Sequence, residues 1–136
     1  KLRRTMAWWR RKVPAWCVTT IVLGAILWLT LARAPIPETE IPAIPGADKV
    51  VHAIMFGGLT LVMCWDWYVS RRQILKRWQV SLCAVASIIV GGAIEIAQGA
   101  MGYGRSADIM DFAADTIGAL TVMYMILRRT RHQQPV

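Results

Sequence analysis

Four predominantly apolar runs, at about 13–32, 49–69, 78–98 and 108–127, fix what this chain can fold into. Each is close to twenty residues long, and about twenty helical residues at 1.5 Å rise cover the roughly 30 Å hydrocarbon core of a bilayer. A backbone in lipid must satisfy its own N–H and C=O groups, which for runs of this length means α-helix. The sequence therefore predicts an all-α, polytopic integral membrane protein of four antiparallel transmembrane helices. The composition agrees: 56% hydrophobic and 18% charged residues, against about 45–50% and about 25% in soluble domains.

Charge gives the predicted orientation. The net charge of +8 does not form one basic patch of the kind that binds nucleic acid. It is divided among Lys1 to Lys12, Arg71 to Arg77 and Arg128 to Arg131, so that 13 of the 16 Lys and Arg residues fall on the side holding both termini and the 70–78 loop. The positive-inside rule places that side in the cytoplasm. Arg33, Lys49 and Arg105 fall on the outer side, with the proline-rich loop 33–48 and the Gly99 to Ala107 loop. Residues 1–12, with Trp8 and Trp9 among the charges and Leu2, Met6, Trp9 and Val13 at helical spacing, suit a short helix on the inner membrane surface. Residues 13–127 then form the membrane domain and 128–136 a basic tail. The first run, followed by Ala32-Arg33-Ala34, also has the outline of a signal peptide. It is long for one and is taken as a retained helix opened by Pro14. Cys17, Cys64 and Cys83 are scattered through apolar segments and are expected to act as small packing residues.

Against this background the polar residues of 91–118 stand out. With the predicted topology, Asp48, Lys49 and His52 sit at the outer end of the second helix and Glu95 and Gln98 at the outer end of the third. Arg105 lies just outside, and Asp108, Asp111 and Asp115 follow in the outer half of the fourth. Asp108, Asp111 and Asp115 stand at i, i+3 and i+7, along one helical face. Asp115 is then about 10 Å below the start of its helix and needs a partner: His52, Lys49, Arg105 or a proton. Asp48 and Asp108, or Ser106, can be explained as helix caps. Caps do not explain Glu95, Asp111 and Asp115, since ionisable groups inside a membrane segment are expensive. Asp66 is the only acidic residue of the inner half, where Arg71 and Arg72 could neutralise it. Ala53 with Gly57, Ser87 with Gly91, and Ala114 with Gly118 form small-xxx-small pairs. They predict close packing of helices two, three and four, with helix one more peripheral.

The combination Asp48-Lys49-x-x-His52, Glu95-x-x-Gln98, and Arg105 with Asp111-x-x-x-Asp115-x-x-Gly118 resembles the VanZ-like family of small bacterial membrane proteins, over about 45–120. The resemblance implies a polytopic inner-membrane protein of the cell envelope. The family takes its name from a protein associated with low-level resistance to teicoplanin, an antibiotic that binds peptidoglycan precursors outside the membrane. The resemblance departs at Asp115, where family members often carry Asn.

Three functions compete at this stage. In the first, an outward-facing polar site binds a lipid head group or lipid-linked envelope precursor, with Lys49, Arg105 and His52 meeting phosphate. In the second, Glu95, Asp108, Asp111 and Asp115 hold Mg²⁺ or another divalent cation. His52 then serves as acid or base in phosphoester hydrolysis or transfer on a lipid, with Glu95 and Asp111 beside it. In the third, the charges pair and lock a structural or accessory subunit. The oligomeric state is open in all three.

Overall fold

The computed structural model describes residues 14–32, 46–101 and 107–131. The basic segment 1–12, most of the proline-rich loop, and Arg105 lie outside the described residues. Within them the regular structure is entirely helical: α1 Cys17–Leu31, α2 Ala47–Arg71, α3 Arg77–Met101 and α4 Ile109–Arg131. α2, α3 and α4 are each long and apolar enough to cross a bilayer. α1 is shorter than its apolar run: 15 residues rise only about 22 Å. It does not begin at Val13. Pro14 instead closes a turn in which its carbonyl accepts the Cys17 N–H at 3.2 Å, and Trp16 takes a left-handed φ of 67° as the N-cap.

α2 also starts elsewhere than expected. Gly46, with φ 81°, is its N-cap, and Asp48 lies inside the first turn, where negative charge complements the helix dipole. α4 is capped as anticipated: Asp108 Oδ1 accepts the Met110 N–H at 2.8 Å.

The bundle is closest where its residues are smallest. A Cβ on Gly118 of α4 would collide with the Ala53 carbonyl of α2, and one on Gly57 would stand 3.1 Å from the Gly118 carbonyl oxygen. α2 and α4 therefore run side by side in the same direction with backbones in contact. α3 runs against both, with Thr60 Oγ1 donating to Ser87 Oγ at 2.9 Å from α2. Buried apolar residues form two groups, Ile26, Phe56, Leu59 and Ile94 in one, Cys64, Val80 and Cys83 in the other. Outside, Ile54, Ile96 and Ile109 are 68%, 74% and 77% exposed while Glu95, Gln98 and Asp115 are buried. Apolar outside and polar inside is the arrangement a hydrocarbon solvent favours.

α1 packs on α2 and α3, and among the described residues makes no contact with α4. Both of its ends are satisfied by other helices. Asp66 Oδ2 on α2 accepts the Thr19 N–H at 2.8 Å, one of the amides that a helix N-terminus leaves without an internal partner. This replaces the expected neutralisation by Arg71 and Arg72, with which Asp66 forms no ion pair among the described residues. At the other end, Gln98 Nε2 on α3 donates to the Thr30 carbonyl at 2.9 Å.

Two tests follow from this packing. Gly118→Ala must push α2 and α4 apart, whereas Gly58→Ala meets no atom within 4 Å. In thermal unfolding of the detergent-solubilised protein, the first should lose about 1–3 kcal/mol. The second should be neutral or gain up to about 1 kcal/mol; equal effects would contradict the close approach. Asp66→Ala, which removes the cap on α1, should lower stability by about 0.5–2 kcal/mol in the same assay.

Candidate functional site

The contact between α2 and α4 at Ala53, Gly57 and Gly118 sets His52 beside Asp115. The two faces meet in tiers. In the outer tier the Lys49 ammonium lies 3.1 Å from Asp48 Oδ2, 3.3 Å from Asp108 Oδ2 and 3.1 Å from Asp111 Oδ1. One turn deeper, His52 Nδ1 is 2.9 Å from Asp115 Oδ1, and its Nε2 is 4.0 Å from Asp111 Oδ2. Asp115 is fully buried and His52 partly buried, its side chain 13% exposed. The imidazole stacks over Phe56, ring centroids 6.5 Å apart, which limits its rotation.

α3 closes the site from the other side. Asp115 fits only because Gly91 has no side chain: a Cβ there would stand 2.8 Å from Asp115 Oδ2. One turn outward from Gly91, Glu95 is 5% exposed, and its Oε2 accepts the Asp108 N–H at 3.0 Å. This bond ties α3 to the entry of α4. A nitrogen of His52 and one carboxylate oxygen from each of Glu95 and Asp115 lie within 4.8 Å of one another.

Two features decide what such a site can do. Five carboxylates, Asp48, Glu95, Asp108, Asp111 and Asp115, face only Lys49 and His52 among the described residues, so the cluster is acidic in excess. Second, among the described residues Glu95 Oε1 and Asp115 Oδ2 are buried without a hydrogen-bond partner. Buried carboxylate oxygens left in this way are costly, and a cation or a proton placed between them removes the cost. At the rim, outside the membrane span, the Met110 amide and then Lys49 hold the Asp108 carboxyl below the usual carboxylate range.

The structure sorts the candidate residues into two sets. Asp48, Lys49, Asp108 and Asp111 form the outer ion-pair network, and His52, Glu95 and Asp115 the inner group. Arg105 lies outside the described residues. Gln98 turns away to α1. Its spacing from Glu95 explains this: three helical residues rotate by about 300°, leaving the two side chains about 60° apart, one toward α4 and one toward α1. The contribution of Gly91 was visible only as half of a small-residue pair. Thr30 had no signal beyond the unpaired carbonyls that every helix C-terminus carries.

Fold and site together define a small helical membrane protein with a polar centre at one end of its bundle. The model of the VanZ/LLP1 family matches residues 6–129, and the chain belongs to that family. No curated protein and no solved structure shows a significant match.

The His52–Asp115 contact can be tested energetically. His52→Ala leaves a charge buried without its partner and should cost about 3–5 kcal/mol in unfolding free energy. Asp115→Asn in the same chain should recover part of that loss. A coupling of about 1 kcal/mol or more in the double-mutant cycle is expected, and strict additivity would contradict the contact.

Proposed function

We propose that this VanZ-family protein binds the charged head group of an envelope lipid or lipid-linked precursor at the outer end of its helix bundle, in the bacterial cytoplasmic membrane. In this reading α1 makes a fourth crossing, both termini are cytoplasmic, and the site faces outward. The distribution of Lys and Arg supports that orientation. One observation carries the reading: a network of Lys49 with three carboxylates lies one turn from a buried acidic group in which Glu95 and Asp115 each have one oxygen without a partner among the described residues. An arrangement with both signs of charge at an interface suits a ligand that itself carries both, such as a phosphate with an amine or a phosphate accompanied by a cation. The low-level teicoplanin resistance from which the family takes its name would follow from handling the precursor that the antibiotic binds.

A second reading rests on the His52–Asp115 pair. A carboxylate on one ring nitrogen orients the imidazole and strengthens it as a base, as phosphoester hydrolysis on a lipid would require.

One experiment separates these readings from a purely structural role. Purified protein in phosphatidylcholine nanodiscs is titrated with a polyprenyl phosphate and with phosphatidylethanolamine, and released inorganic phosphate is assayed in parallel. Head-group binding predicts saturable retention of one of them, weakened about tenfold or more, roughly 1.4 kcal/mol, by Lys49→Ala. Phosphate release lost in His52→Ala supports the enzyme. Stability changes without any change in retention or release would leave the structural role alone.

A further inference from the structure

We propose that His52, Glu95 and Asp115 form a binding site for one divalent first-row metal ion, of the zinc or manganese type, at the floor of the polar cluster. The inference deepens the head-group reading by naming the charge that would let an acidic site accept a phosphate.

The donors are already assembled from three helices. His52 comes from α2, Glu95 from α3 and Asp115 from α4, with one ligand atom from each inside a 4.8 Å span. Ligands about 2.0–2.2 Å from a metal stand roughly 3–4 Å apart, so closure requires the widest pair to approach by no more than about 1–2 Å. His52 Nδ1 and Asp115 Oδ1, at 2.9 Å, already have the separation of neighbouring ligands. In the metal-free protein that contact is a hydrogen bond, and a metal would take the place of its proton.

An independent observation points to a ligand at this place. Glu95 and Asp115 are 5% and 0% exposed, and each has one buried oxygen that no donor reaches among the described residues. Lys49 does not supply the missing charge: its ion pairs go to Asp48, Asp108 and Asp111. Glu95 Oε2 is held by the Asp108 amide and Asp111 stands 4.0 Å from His52 Nε2, contacts that would orient first ligands from behind.

The donor set also selects the ion. Of the four carboxylates considered as ligands for Mg²⁺ or another divalent cation, Asp108 and Asp111 are engaged by Lys49, while Glu95 and Asp115 gather on an imidazole. One nitrogen with two carboxylates suits Zn²⁺ or Mn²⁺ better than Mg²⁺ or Ca²⁺, which prefer oxygen alone. Open positions on such an ion would face the outer tier, where a phosphate oxygen can complete the coordination.

The full chain, purified in detergent and stripped with EDTA, is titrated with ZnCl₂, MnCl₂ and MgCl₂ by calorimetry, with bound metal counted by mass spectrometry. One Zn²⁺ or Mn²⁺ per chain is expected, with Mg²⁺ at least tenfold weaker. Glu95→Gln and Asp115→Ala should each lose tenfold or more in affinity, while Gly58→Ala, which meets no atom within 4 Å, keeps the metal. Should a variant fail to fold, Mn²⁺-loaded wild-type protein still decides the matter, since its electron spin-echo spectrum must show a single imidazole nitrogen. No stoichiometric binding, no nitrogen modulation, or unchanged affinity in folded Glu95→Gln and Asp115→Ala would overturn the site. The last outcome includes a proton shared between the two carboxylates. Because this titration contains no lipid phosphate, metal binding without head-group retention defeats only the head-group reading, and retention in EDTA without metal binding defeats only this one.

Discussion

The polar cluster of this bundle depends on how closely α2 approaches α4. Gly118 lies against the Ala53 carbonyl and Gly57 against the Gly118 carbonyl. At that separation His52, next to Ala53 on α2, and Asp115, one turn from Gly118 on α4, must meet. Larger side chains at these positions would move the helices apart and leave a carboxylate alone in hydrocarbon. Small residues are the means by which membrane helices gain packing where no hydrophobic effect drives them together. Here they also place charge, since Gly91 on α3 vacates the volume that Asp115 fills.

The same solvent explains why α1 is held as it is. In water, its ends could be hydrated. In lipid they need partners, and the partners come from neighbouring helices: Asp66 on the Thr19 amide, Gln98 on the Thr30 carbonyl. α1 is therefore peripheral to the α2–α4 contact yet fixed to the bundle at both ends. Among the described residues three buried side-chain oxygens lack a partner, Thr19 Oγ1 and one each on Glu95 and Asp115, and the two carboxylate oxygens are the costly ones.

Much of this architecture was legible in the sequence because a bilayer imposes length. The expected spans 78–98 and 108–127 became α3 Arg77–Met101 and α4 Ile109–Arg131. α1 was misjudged for a local reason: the turn at Pro14 and the left-handed Trp16 set its start, and neither leaves an apolar signature. The three small-residue pairs were readable, but their pairing was not, since spacing shows which positions share a face and not which helix that face meets. For the same reason, Asp66 and Gln98 have partners that the sequence did not suggest. Each was interpreted through charge or spacing along its own helix, while its partner is a backbone group on α1. The gathering of His52, Glu95 and Asp115 needed three helices to be in register, which only coordinates supply.

The central claim is that His52 of α2 faces Asp115 of α4 inside the bundle. Disulfide trapping in native membranes tests it directly, in a chain whose Cys17, Cys64 and Cys83 have been replaced by Ala. His52→Cys with Asp115→Cys should cross-link rapidly under mild oxidation, detected by mass spectrometry after cleavage between α2 and α4. His52→Cys with Ile96→Cys, whose second position faces outward at 74% exposure, should not. Cross-linking of the second pair in preference to the first would contradict the arrangement on which the site is built.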